Sequence, residues 1–157
     1  MSRALIVLLG IFLAGCAADG RNLQPGADAT AVRAQMGSPG EVVRLPDGGE
    51  AWFYPGGRVR RQTFRAELGP DGRLRKVEQV LDERHFARIV PGKTTREELR
   101  RLLGSPEQEF RGYNETVWQY HYLWTPNWPY RLHVGIGDDG IVTGLARLSE
   151  LDGPRSN

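Results

Sequence analysis

The sequence predicts an α+β protein: a tandem repeat in which short helices pack on a three-stranded antiparallel sheet, twice. Three observations carry that reading. Landmarks recur in the same order 66–68 residues apart: Pro25-Gly26 as Pro91-Gly92, Gly37-Ser38-Pro39 as Gly104-Ser105-Pro106, Trp52-Phe53-Tyr54 as Trp118-Gln119-Tyr120, and Asp71-Gly72 as Asp139-Gly140. Each copy opens on helix punctuation and closes on alternating strand pattern. With 20 Gly and 10 Pro in 157 residues, turns are frequent, which suits short strands better than a helical bundle.

In the first unit Asp28 is the helix cap, Val32 and Met36 form the apolar stripe, and Gly37 and Pro39 stop the helix. Strands follow at about 50–54, 59–68 and 74–81, the last two joined by Gly69-Pro70-Asp71-Gly72; alternation sets Phe64, Ala66 and Leu68 on one face. Residues 81–89 read as a short helix leading into Pro91-Gly92. In the second unit Thr95 and Glu98 spell a capping box, whose hydroxyl and carboxylate satisfy amides of the first turn. Leu99, Leu102 and Leu103 make the stripe, and Gly104 and Pro106 end it. Strands follow at about 117–124, 130–136 and 141–147, with Leu132, Val134 and Ile136 on one face and the hairpin signal Asp138-Asp139-Gly140 before the last. Three strands and a helix make a thin core for about 65 residues, so the units are expected to pack together, by one continuous sheet or by shared helices.

The N-terminus carries a targeting segment. Residues 1–20 read MSRALIVLLGIFLAGCAADG, in which Arg3 precedes an apolar run from Ala4 to Phe12 and then small residues. This is a secretion signal, too short in its apolar part to span a bilayer. Leu13-Ala14-Gly15-Cys16 resembles the lipobox of bacterial lipoprotein signals, which implies cleavage between Gly15 and Cys16 and acylation of the thiol. Ala17 stands where Asp would favour inner-membrane retention, so the resemblance implies the outer membrane, facing the periplasm. Cys16 is the single cysteine, which excludes an internal disulfide and a Cys-based zinc cluster. A net charge of +2 argues against nucleic-acid binding. No nucleophile elbow, His-Glu-x-x-His or phosphate loop occurs, so no enzymatic activity and no cofactor are expected.

The pattern from Pro91-Gly92 through Thr94-Thr95-Arg96-Glu97-Glu98-Leu99 to Gly104-Ser105-Pro106, followed by Trp118-x-Tyr120 and a strand–Asp139-Gly140–strand ending, resembles the BamE (SmpA/OmlA) domain. The likeness is close over 89–147 and weaker over 23–81. It implies a helical hairpin on a three-stranded antiparallel sheet, and a small outer-membrane lipoprotein attached to the β-barrel assembly machinery. That family carries one such domain per chain, whereas two stand here. The tandem arrangement is also similar to secreted β-lactamase inhibitor proteins, which grasp an enzyme on paired sheets, so a periplasmic inhibitor or ligand-binding protein is the alternative.

Three groups of residues are candidate sites. Six of the fourteen aromatic residues fall within 118–130, and Tyr122, Trp124, Trp128 and Tyr130 are the expected partner-binding surface. Trp118 and Tyr120 are expected to pack under the helix, like Trp52 and Tyr54. Residues 58–76 carry a net charge of +5, and Arg58, Arg60, Arg61 and Arg65 are the candidates for contact with an anionic surface or an acidic partner. The bland reading of that run is a solvated, charge-protected strand edge. With the hairpin loop centred on Asn127, His121 and His133 would lie opposite each other, but no third ligand sits at a suggestive spacing, so no metal site is expected.

The resulting organisation is a signal peptide over 1–15, a lipidated Cys16 and tether over 16–22, a first repeat over 23–81, a second over 82–147, and a polar tail over 148–157. The function expected is that of a lipid-anchored periplasmic accessory or scaffold protein of the outer membrane, held in the lipid by Cys16 and bound to an envelope protein complex.

Overall fold

The computed structural model describes residues 22–125 and 127–151. Asp28 caps α1 (Ala29–Met36), its Oδ1 accepting from the Ala31 amide at 2.8 Å, and Val32 and Met36 are the buried side of the helix. Four strands follow, β1 (Glu41–Arg44), β2 (Glu50–Pro55), β3 (Thr63–Leu68) and β4 (Leu74–Gln79), with the single turn α2 (Gly57–Arg60) between β2 and β3. A second run of elements then begins with α3 (Glu83–Phe86) and α4 (Arg96–Leu103), where the capping box of Thr95 and Glu98 forms. It ends in β5 (Gln108–Arg111), β6 (Glu115–Thr125), β7 (Trp128–Gly137) and β8 (Val142–Ser149).

The chain is therefore mostly β, with two four-stranded antiparallel sheets in the orders β1-β2-β3-β4 and β5-β6-β7-β8 and a few short helices. This corrects the expected α+β fold of short helices on three-stranded sheets. The strands that the sequence pattern missed are β1 and β5, each four residues long; β1 alternates half-buried and exposed residues, and β5 is exposed throughout. Alternation over so few residues carries no legible signal. They form because β2 and β6 would otherwise present bare edges of unpaired amides and carbonyls. Two ends also move. The expected strand start at residue 59 is occupied by α2 and by Arg61, which adopts a left-handed conformation at φ 51°. The expected tail begins inside β8, which holds Leu148 and Ser149. Residues 152–157 lie outside the described residues.

Faces decide the layering. In the first sheet Trp52, Tyr54, Ala66 and Leu68 point to one side, where they bury Val32 and Met36 of α1. Ala51 and Phe53 point to the other side, as strand alternation requires. There they join Leu99 and Leu103 of α4, Phe86 of α3, and Trp118, Tyr120, Leu132, Val134 and Ile136 of the second sheet in one cluster. Helices α3 and α4 thus lie between the sheets, and the order of layers is α1, first sheet, α3 with α4, second sheet. Gly104 lies close under Phe53: a Cβ on Gly104 would sit 2.8 Å from Phe53 Cδ1, and Gly104 has φ +80°. Polar bonds flank it. Glu41 of β1 accepts from the Ser105 amide at 2.7 Å and from Arg100 Nε at 2.5 Å, and the Tyr120 hydroxyl donates to the Gly104 carbonyl at 3.0 Å.

Candidate functional site

The aromatic candidates sit on the β6–β7 hairpin. Side chains of β6 alternate, and Trp118, Tyr120 and Tyr122 all enter the core; Trp118 and Tyr120 pack under α4 as expected, and Trp52 and Tyr54 under α1. Tyr122 was expected at the surface and is instead fully buried, at 0% exposure. Its ring meets Phe86 of α3 edge-on with centroids 4.9 Å apart, and burial pushes its phenol up to about 12. The reason is α3, whose single turn covers the far end of the strand.

Further along the strand the same face emerges into solvent. Trp124 and Trp128 are each 51% exposed. Half-buried Tyr130 links Trp124 to the core, its ring 5.8 Å from both Tyr122 and Trp124. Leu151 follows at the level of Trp128, because Tyr130 pairs with Ser149 and the Glu150 amide donates to the Pro129 carbonyl at 3.0 Å. It is 60% exposed and adds a further apolar side chain at this end of the sheet. Sequence reading missed it inside the polar tail, where a lone leucine gives no periodic signal. The exposed apolar residues at this end of the sheet are Trp124, Trp128 and Leu151, without Tyr122. A rigid aromatic pair held at a hairpin tip offers large contact area at small entropic cost.

Part of the basic run is paired with acids. Arg65 is 8% exposed and lies on the inner face of the first sheet, where its Nη1 contacts Glu67 at 3.0 Å and Glu78 at 3.1 Å. Glu78 also takes Lys76 at 2.7 Å and faces His85 Nε2 at 3.5 Å, and His85 Nδ1 lies 2.7 Å from Asp82. Arg75 is paired with Asp47 and reaches Glu67. Arg61 is committed to Glu150 at 2.6 Å. Arg60 is exposed, and the Arg58 side chain lies outside the described residues. The sequence count missed this pairing because most of the carboxylates lie outside the run: Glu67 and Asp71 are the only acids inside it, whereas Asp47, Glu78 and Glu150 arrive by folding.

The histidines do not face each other. His121 pairs with Arg131, and His133 pairs with Gln119, whose Oε1 lies 2.7 Å from His133 Nε2. The register of β6 against β7 centres the hairpin one residue earlier than expected. His121 is 1% exposed and held between two carboxylates, with Nδ1 2.9 Å from Glu107 and Nε2 3.6 Å from Glu150. Among the described residues no group of three His, Cys, Asp or Glu is placed to hold a metal ion. The chain Glu107–His121–Glu150–Arg61 instead ties the turn after α2 to both edges of the second sheet.

That tie has a pH dependence with a definite sign. The Arg61 guanidinium donates to Glu150 and holds its carboxyl below the ordinary 4.5. A depressed folded value adds stability above the unfolded value and loses it as pH falls through the folded one. Burial, then Arg131 and His121, hold His133 below the ordinary 6.5, so its share is already being lost below pH 6.5. Arg61→Gln is expected to lower stability at pH 7 by about 1 kcal/mol. The difference from the parent should vanish as Glu150 protonates, as urea titrations between pH 3 and 8 would show.

No family model matches this chain, and no curated protein matches it. Among solved structures, an extracellular protein containing a SCP domain from Bacillus anthracis str. Ames aligns over 92% of this chain and 50% of its own, at 13% identity and a TM-score of 0.33. The chain thus spans half the length of that structure, and the likeness is too slight to bear on fold or function.

Proposed function

We propose that this chain is a lipid-anchored, non-enzymatic accessory or scaffold protein of the outer membrane that faces the periplasm and docks on an envelope complex of the β-barrel assembly type. The observation that carries the docking part is the pair Trp124 and Trp128, each half-exposed at one hairpin tip, with Trp124 backed by Tyr130. Tryptophans displayed on a rigid support are the side chains that most often dominate binding between proteins. The anchor rests on the Leu13-Ala14-Gly15-Cys16 signal, which lies outside the described residues, and the partner class rests on the likeness to BamE-type lipoproteins. Among the described residues no helix is long and apolar enough to cross a membrane. An acyl anchor asks for none.

The inhibitor reading would need the two sheets to offer open faces side by side. The inner face of the first sheet is covered by α4, which favours docking through the hairpin tip.

The test is in-cell photo-crosslinking from Thr125, between the two tryptophans, in the full-length chain. Support would be recovery of β-barrel assembly components from outer membranes, reduced by Trp128→Ala and by Cys16→Ser. Recovery of one periplasmic enzyme, unchanged by Cys16→Ser, would overturn the reading in favour of an inhibitor.

A further inference from the structure

Where α4 meets the inner face of the first sheet, the layers part into an open cleft of about 510 Å³. Its apolar lining comes from both runs of the chain: Leu45 and Pro46 from the β1–β2 turn, Val90 and Leu102 from the segment around α4. Arg88, Lys93 and Arg101 line the same space, and among the described residues none of the three has an acidic partner within ion-pair distance. Paired Arg65 is the fourth cation of the lining. The single carboxylate there is Glu98, and it is already engaged: its Oε2 accepts from the Thr95 amide at 2.9 Å in the capping box of α4. Val90 is left 45% exposed on the wall, although apolar neighbours stand beside it.

Unpaired like charges around one concavity repel each other and lower the local potential energy of an anion. An apolar wall beside them rewards a ligand that carries hydrocarbon as well as charge. We infer that this cleft binds a small amphipathic anion, an organic carboxylate or phosphate whose apolar body lies along Leu45, Val90 and Leu102 while its charged group meets Arg88, Lys93 and Arg101. Because the lining is drawn from both sheets' layers, the ligand would bridge them and raise the melting temperature. The inference stands apart from the docking surface, since neither Trp124 nor Trp128 lines the cleft.

The experiment is an amide NMR titration of the anchor-free soluble chain with octanoate, octyl phosphate, octanol and inorganic phosphate. Octanoate and octyl phosphate are expected to shift amides of residues 88–94 and 98–102 in a saturable, salt-weakened manner. Octanol and inorganic phosphate should bind about tenfold more weakly or worse, each lacking one half of the recognition. The double variant Lys93→Gln plus Arg101→Gln should lose about tenfold in octanoate affinity with an unchanged melting temperature. Val90→Asp should lose it as well without touching the buried core. Equal binding of octanol and octanoate, equal binding of inorganic phosphate, or an unaffected double variant would overturn the inference. Crosslinking from Thr125 reads the hairpin surface alone, so failure of one proposal is distinguishable from failure of the other.

Discussion

Phe53→Ala is expected to cost about 3–5 kcal/mol of folding stability, the range for truncating a buried aromatic ring. If the first sheet showed solvent the face opposite α1, Phe53 would be exposed and its loss nearly silent. The ring is instead buried over Gly104 and beside Leu99 and Leu103, in the cluster that joins the two sheets. The complementary change is Gly104→Ala. Its Cβ would be driven into the Phe53 ring, and the left-handed backbone at Gly104 adds strain that alanine does not tolerate. Together these should cost about 2–4 kcal/mol. The two changes should not add: in the double variant the methyl enters the space that the ring vacated, so only the backbone part of the Gly104→Ala cost remains. Urea denaturation of the four proteins measures the coupling, and strict additivity would mean that α4 does not hold the first sheet as described.

Tyr122→Ala and the pair Trp124→Ala plus Trp128→Ala should separate core from surface along one hairpin. Tyr122→Ala removes a fully buried ring from its edge contact with Phe86 and should cost about 3–5 kcal/mol. Tyr122→Phe should be neutral or stabilising by up to about 1 kcal/mol, because the buried hydroxyl has no hydrogen-bond partner among the described residues. The double tryptophan variant should keep its melting temperature and lose the crosslinked partner. Calorimetry on the purified chains, set beside crosslinking yield from Thr125, distinguishes the two effects. A large loss of stability in the tryptophan variant would place those rings in the core and remove the docking surface.

Much of the local structure was written along the chain. Asp28, and Thr95 with Glu98, cap the helices they announce, and Gly37 and Gly104 end them. Phe64, Ala66 and Leu68 share one buried side, as do Leu132, Val134 and Ile136. These signals are legible because a cap, a stripe or an alternating strand is satisfied by residues within a few positions of each other. Strands β1 and β5 escaped because they are four residues long and exist to cover an edge supplied by a neighbour.

The candidate surface shows the same division. Alternation placed Trp118, Tyr120, Tyr122 and Trp124 on one side of β6, but how far the core extends along that side was set by where α3 comes to rest. Tyr122 lies under it, and Trp124 further along the strand is half-exposed. Likewise Arg61, Arg65 and Arg75 count as part of a basic run only along the chain, since Glu150, Glu78 and Asp47 meet them from elsewhere in the fold. By itself the sequence determined the helix ends and the strand faces. Only the tertiary structure decided that α4 is shared by two sheets, which aromatic residues remain in water, and which charges are neutralised, because burial and ion pairing depend on partners that the chain brings from dozens of residues away.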